Sequence, residues 1–572
     1  MDSRMVSQVL LPITGTLLFY VSYHIVHAIY RHWTSPLRYV AGPSSSSWMF
    51  GNFKDIMGDP QLTDRWREEF GPTFKFKWLL STSELHTSDI KALTHIVNNG
   101  AIYQRAPSFR SNAAMVMGKG LLSVDLDQHK HQRRMLTPAF GVTQIRLVTE
   151  IFVEKAVQLR DIWSRKIALG EKDSEQVEVF SGLGSMTLDV IGKAGFNYDF
   201  DALEEANGRP SELNEAFTEL LNSPRASRYA LARLIQSMIP VLRSLPVPWR
   251  ATRNARTKMD VIANQIVMES KADAKLEGLD AKRDLVSVLV KANMSPSLPE
   301  SQRLTHAEVI AQIPTFFIAG HETTSIATAW ALHALSQHPA VQAKLRQELL
   351  TISTDNPSME ELNSLPYLET VVREVMRFHA PAVFTQRMAM EDDVVPLSKP
   401  YIDKAGKSHD SLLIPKGQMI HIPILAVNTD IEIWGEDARE FKPERWENLP
   451  DTVSLVPGVW ANLLTFFAGT TNCIGFRFSL VELKALLFTL IRAFEFEAAV
   501  PKGGIQPKMS GILQKPVFIT MSQPASAMAA ASRHQSRFAL VVGLRAVPVT
   551  GTAAHPTAAE WDFQGLSGTG RP

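Results

Sequence analysis

Cysteine is all but absent from this chain: Cys473 is the only one in 572 residues. A lone thiol excludes an intrachain disulfide framework and any cysteine-rich zinc module. It suits a chain that folds on the reducing side of a membrane. Excess charge is missing as well. The 59 lysines and arginines against 58 acidic residues leave a net charge of +1, no reason to expect nucleic acid or a polyacidic partner. Internal repeats are absent. What is there, 45% hydrophobic and 20% charged residues, is the composition of a folded protein and not of a disordered one. The question is why a chain that avoids cysteine keeps one thiol in FFAGTTNCIG, residues 466–475.

A local absence stands at the amino end, where residues 9–30 carry no Asp, Glu, Lys or Arg. A helix of about 22 residues reaches roughly 33 Å, enough for a bilayer core, so residues 1–32 are expected to be a membrane anchor. A cleaved signal peptide is the rival, with a shorter apolar region of about 7–15 residues. Arg31, His32 and Arg38 follow the stretch, which puts the next domain on the cytoplasmic side. Residues 33–53 are rich in Pro, Gly and Ser and read as a linker. From about 60 to 375 the apolar spacing is mostly helical. Residues 306–335 are apolar nearly all round, as in a helix at the centre of a large domain. Residues 394–424 alternate short β-rich runs with turn pairs, predicting a small sheet, and helix returns over 481–496. Residues 524–572, rich in Ala, Gly, Thr and Pro, are expected to be disordered or an appended tail.

The setting of Cys473 explains its retention. Gly469 and Gly475 flank it and can adopt positive φ, which permits a tight loop. A helical run begins at about residue 474. A thiol at the mouth of a helix meets partial positive charge and free N–H groups, both of which favour thiolate. A thiolate held by backbone N–H groups is a suitable axial ligand for haem iron.

FFAGTTNCIG resembles the cysteine loop of the cytochrome P450 family, F-x-x-G-x-[RH]-x-C-x-G, with Phe466, Gly469, Cys473 and Gly475 at the matching positions. Thr471 departs from the pattern by standing where the family carries Arg or His. The other motifs follow in the family's order. HKHQRR, residues 129–134, is similar to its propionate-contacting helix, which implies that His129 and Arg133, at i and i+4, bind haem. AGHETTS, residues 319–325, is similar to [AG]-G-x-[DE]-T-[TS]; this makes Glu322 and Thr323 the acid–alcohol pair that supplies protons to iron-bound dioxygen. Gly320 would leave room for that oxygen. EVMR, residues 374–377, with PERW, residues 443–446, resembles the family's structural triad, here Glu374, Arg377 and Arg445. Arg387 sits where members commonly place another propionate ligand.

The resemblance covers the chain to about residue 522 and looks most like fungal microsomal members. It implies a mainly α fold with a smaller β region (the α+β cytochrome P450 fold), in one large catalytic domain over 54–523. It further implies Cys473 as the axial ligand of haem b, and NADPH serving indirectly through NADPH–cytochrome P450 reductase, with cytochrome b5 a possible second donor. The activity implied is insertion of one oxygen atom from dioxygen into a hydrophobic substrate such as a terpenoid, steroid, fatty acid or polycyclic aromatic, in secondary metabolism or xenobiotic oxidation. By analogy, substrate contacts come from about 103–125, 213–250, 312–320, 381–386 and 510–513. The implied location is the endoplasmic reticulum membrane, single-pass, with the catalytic domain facing the cytosol. Two alternatives stand beside it: a haem-thiolate isomerase or dehydratase that needs no reductase, and a non-catalytic haem-binding membrane protein. Loss of one charge-assisted bond at Thr471, about 1.5–3 kcal/mol, predicts looser but retained haem, tightened by Thr471→Arg.

Overall fold

The computed structural model describes residues 33–59, 61–169, 174–204, 250–276, 284–499, 504–518 and 541–546, with isolated positions elsewhere. Six helices position the site: α1 (Leu126–Leu136), α2 (Val142–Leu169), α3 (Val179–Phe196), α4 (His306–Gln337), α5 (Pro366–Phe378) and α6 (Phe476–Ala493). The centre is α4. Thr305 and Glu308 close a capping box at its start, each satisfying the other's backbone N–H. Buried side chains occur on every side of it from Val309 to Phe317 and from Thr324 to Ser336, so both halves are packed all round, as the uniform apolarity predicts, while Ile318–Thr323 between them is less buried. Thr315 donates to the Ala311 carbonyl at 2.8 Å and Thr328 to the Thr324 carbonyl at 2.9 Å, which satisfies the donors of these two hydroxyls in the core. Helix α4 packs on α3, α3 on α2, and α2 on α6, while α6 and α5 both return to α4.

The strands form small sheets at the edges. They are β1 (Thr73–Lys77), β2 (Ser83–Thr87), β3 (Tyr103–Gln104), β4 (Ser174–Glu178), β5 (Thr385–Ala389), β6 (Asp393–Ile402), β7 (Ser408–Ile414), β8 (Met419–Ile422), β9 (Phe494–Ala498), β10 (Ile505–Ser510), β11 (Leu513–Phe518) and β12 (Val541–Ala546). The largest sheet has the order β1-β2-β8-β5-β3, antiparallel except for the parallel β2–β8 pair. The small sheet expected over 394–424 is the β6–β7 hairpin followed by β8, with Gly406 and Gly417 at positive φ in the two turns. The architecture is one large mainly helical domain with small sheets, as the family resemblance implies.

Residues 33–53 lie along β1. Asn52 donates to the Ser44 carbonyl and accepts the Lys77 N–H, and a Cβ at Gly42 would fall 1.8 Å from the Lys75 carbonyl oxygen. Within the expected tail, Val541–Ala546 is the middle strand of the β4-β12-β9 sheet; the rest of 524–572 lies outside the described residues.

The expected transmembrane anchor, and with it the single-pass placement in the endoplasmic reticulum membrane, is corrected. Among the described residues no helix is long and apolar enough to cross a membrane, and of 9–30 only Gly15, Thr16, Phe19, Tyr20, Ser22, Tyr23, Val26 and Tyr30 are described. Freedom from charge is a weaker property than apolarity. The same stretch holds Pro12, which removes a helical N–H, and His24 and His27, ionisable groups that hydrocarbon disfavours.

Candidate functional site

A cavity of about 1650 Å³ opens between α4, the large sheet and the loop before α6. Ordinary ligand pockets hold roughly 300–1,000 Å³, so there is room for more than one small molecule. Cys473, Phe466, Thr471 and Gly475 contribute one part of the wall, and Ala319, Gly320, Glu322 and Thr323 of α4 another. Much of the rest is apolar, including Phe109, Val116, Phe316, Phe384 and Ile512. Of the expected substrate segment 213–250, only Gln236 and Arg250 are among the described residues.

The cysteine loop is held by its backbone. The Cys473 N–H donates to the Phe466 carbonyl at 2.9 Å, which closes the turn. Gly469 has φ 65°, and a Cβ there would lie 2.6 Å from the Val97 carbonyl oxygen. Conformation and space both demand glycine. Gly475 differs from expectation: its φ is −90°, an ordinary value, and it is the residue before the first turn of α6. Its N–H points to the Cys473 sulfur. Cys473 is exposed toward the cavity it lines, yet protein surrounds that cavity wall. Burial pushes the thiol up, while the Gly475 N–H and the Arg133 guanidinium pull it down.

The basic residues gather beside this loop. Arg387 is buried on β5; its Nη2 donates to Thr471 Oγ1 at 3.1 Å, and its guanidinium lies 4.3 Å from the Phe467 ring centroid. Burial, then Arg105, brings its pKa down to about 9. His129 on α1 is buried and neutral, pulled to about 4 by burial and then by Arg105, Arg133 and Arg387. Arg105 falls to about 10 through burial, Arg133 and Arg110. Every charged neighbour that shifts these three groups is itself a base, so an anion placed among them would be stabilised. Arg133 turns to the loop itself. Its Nη1 donates to the Asn472 carbonyl at 2.7 Å and its Nη2 to Asn472 Oδ1.

These residues fit haem. A thiol on the cavity wall, an apolar slot and a cluster of uncompensated bases match iron, porphyrin face and propionates in turn. When bound, haem would activate dioxygen. Cys473 would hold its iron, and Arg387, Arg105 and His129 its carboxylates.

On α4 the Thr323 hydroxyl donates to the Ala319 carbonyl at 2.6 Å, so its oxygen is left to accept a hydrogen bond. Glu322 Oε1 meets Lys515 Nζ of β11 at 2.5 Å. Gly320 lines the cavity and also faces α3: a Cβ there would come 3.0 Å from Ile191 Cδ1, so glycine also eases the approach of α3 to α4. Ala319 beside it is exposed and lines the cavity as well.

Glu374, Arg377 and Arg445 meet away from the cavity, all buried. Arg377 grips Glu374 with two bonds of 2.8 and 2.9 Å, and Arg445 Nε adds one of 3.0 Å. Trp446 Nε1 and the Lys442 N–H complete the carboxylate's shell. Arg377 also donates to the carbonyls of Asn428, Ala438 and Glu440, tying α5 to the segment that leads into the cysteine loop.

Sequence reasoning missed Arg105, Asn472 and Lys515. Arg105 sits between β3 and a helix at Pro107–Met117, with no spacing to mark it. Lys515 had a signal: it is the lone charge in ILQKPVFIT, and a charged residue in a buried strand needs a partner.

Residues 41–522 match the family model described as Cytochrome P450. Cytochrome P450 monooxygenase 128 of Postia placenta is 47% identical over 88% of this chain and 93% of its own length. Cytochrome P450 monooxygenase 205 of the same fungus is 48% identical over 85% and 90%. Ganoderic acid synthetase CYP5150L8 of Ganoderma lucidum is 33% identical over 81% and 88%.

Proposed function

Because the chain belongs to the cytochrome P450 family, we propose that it is a haem-thiolate monooxygenase that inserts one atom of dioxygen into a hydrophobic substrate. Electrons come from NADPH through a flavoprotein reductase, and the second oxygen atom leaves as water. The observation that carries this reading is one cavity lined both by Cys473 and by the Glu322–Thr323 pair.

Each residue has a task in that reaction. Cys473 Sγ would hold the iron; burial raises the pKa of the free thiol, and the Gly475 N–H and Arg133 oppose that rise. Arg387, Arg105 and His129 anchor the propionates, and Thr471 orients Arg387. The Glu374–Arg377–Arg445 triad braces the loop and takes no part in chemistry. Phe109, Val116, Phe316 and Ile512 exclude water and bind an apolar substrate by surface burial. Thr323 Oγ1 accepts a hydrogen bond from water in the cavity, and Glu322 holds the next proton in line. An intact acid–alcohol pair favours this over an isomerase, which needs no proton supply to dioxygen.

The test is product analysis with the purified holoprotein, a P450 reductase and NADPH, fed terpenoids, steroids, fatty acids and polycyclic aromatics. An oxygenated product that requires NADPH is expected, with a carbon monoxide spectrum of the thiolate type. In Cys473→Ser both are lost. Turnover independent of NADPH and reductase would select the isomerase instead.

A further inference from the structure

Glu322 does not stand alone at the cavity edge. Its Oε1 is 2.5 Å from Lys515 Nζ, and the Lys515 side chain is 8% exposed against 22% for Glu322. Glu322 lines the cavity, and Lys515 reaches it from the neighbouring strand β11. That strand is tied to α4 at the adjacent residue, where Trp330 Nε1 donates to the Gln514 carbonyl at 2.8 Å. The ammonium also lies 5.6 Å from the Phe180 ring centroid on α3, a cation–π distance. Strand, helix and ring thus fix where the charge sits. Burying such a pair is a poor way to gain stability, since desolvation offsets much of the attraction. His321, the next residue on α4, offers no competing cation: burial chiefly, with Lys515 adding, brings it to about 4.

We propose that Lys515 is a positioning residue for proton supply, anchoring Glu322 by Oε1 so that Oε2 is the oxygen that serves the cavity. The chemistry makes this matter. In productive turnover RH, dioxygen, two electrons and two protons give ROH and water, and both protons must reach the same oxygen atom. When the second proton goes to the other oxygen, the same two electrons and two protons release hydrogen peroxide and RH is unchanged. The electrons in either case come from the reductase, so this inference rests on the monooxygenase reading. A carboxylate held at one oxygen delivers to one place; a swinging one does not.

Dioxygen is the probe: without RH the productive branch takes two further electrons from the reductase and two further protons and gives two waters, so peroxide released per dioxygen consumed still reads the partition. Holoenzyme with reductase and NADPH is assayed for dioxygen consumed and hydrogen peroxide released, in water and in deuterium oxide. Lys515→Met is expected to raise the peroxide fraction at least threefold and to enlarge the solvent isotope effect, and Lys515→Arg to restore both. Because Lys515 acts through Glu322, the Glu322→Gln/Lys515→Met double variant should be no worse than Glu322→Gln alone. An unchanged partition in Lys515→Met, or additive effects in the double variant, overturns the proposal. Should Lys515→Met fail to fold, the partition of Lys515→Arg against Lys515→Gln decides it the same way. A wild-type protein without the thiolate-type carbon monoxide spectrum would refute the monooxygenase reading; a normal spectrum with an unmoved partition refutes only the role of Lys515.

Discussion

Arg387 donates to Thr471 across 3.1 Å, linking β5 to the cysteine loop at the position where the family carries its own Arg or His. The threonine supplies no charge of its own and instead holds the charge of another strand in place. Thr471→Val removes the acceptor, and the lost bond to a charged group is worth about 1.5–3 kcal/mol; haem release should quicken roughly tenfold or more. Thr471→Arg adds a cation beside Arg105 and Arg387. It should slow haem release yet lower the melting temperature of the haem-free protein. Release rates to apomyoglobin, with melting of both forms, check the pair of signs.

Glu374 is the single carboxylate between Arg377 and Arg445. Glu374→Ala leaves two buried guanidiniums facing each other, a loss of about 3–5 kcal/mol. The expected outcome is little soluble holoprotein. Urea unfolding of whatever accumulates measures the deficit.

Gly469→Ala combines a left-handed residue, about 1–2 kcal/mol for a side chain there, with a contact of 2.6 Å to the Val97 carbonyl oxygen. The loop must shift to admit it. The fraction of haem with a thiolate-type carbon monoxide spectrum should fall, while Gly475→Ala, whose Cβ would only touch Phe140 at 3.6 Å, should disturb it less.

His421 and Glu84 predict opposite pH limbs. His421 stacks on Phe384 at 4.5 Å and burial lowers its pKa to about 3. The native state cannot accept the proton that the unfolded chain takes below about 6.5, so stability is full above that value and falls by about 1.4 kcal/mol per pH unit down to about 3. His421→Phe should flatten this acid limb. Glu84, held by Gln386 and pushed to about 8 by burial, contributes stability below its ordinary value that is lost as pH rises through 8. Glu84→Gln should therefore gain on wild type steadily between about pH 4.5 and 8. Chemical denaturation at several pH values separates the two.

Much of the site was legible because its residues sit in short motifs. EVMR puts Glu374 and Arg377 one helical turn apart, so a local pattern encodes a local geometry. FFAGTTNCIG similarly encodes a turn, and Gly469 meets the steric demand that its place suggests. Where the reading went astray, a side chain's neighbours come from elsewhere in the chain. Gly320 lines the cavity, yet its closeness to Ile191 of α3 is invisible in the sequence. The charge-free stretch at the amino end suggested a membrane span that no described helix provides.

The chain by itself determined which chemistry is available: one thiol before a helix, an acid beside an alcohol in an apolar helix, and a carboxylate with two guanidiniums. Those depend on order and spacing, which a linear pattern carries. Tertiary structure alone decided who meets whom. Arg387 reaches Thr471 over 84 residues, and Lys515 reaches Glu322 from another strand. The partners of a buried charge are chosen by packing, because only folding removes the water that would otherwise serve every charge equally.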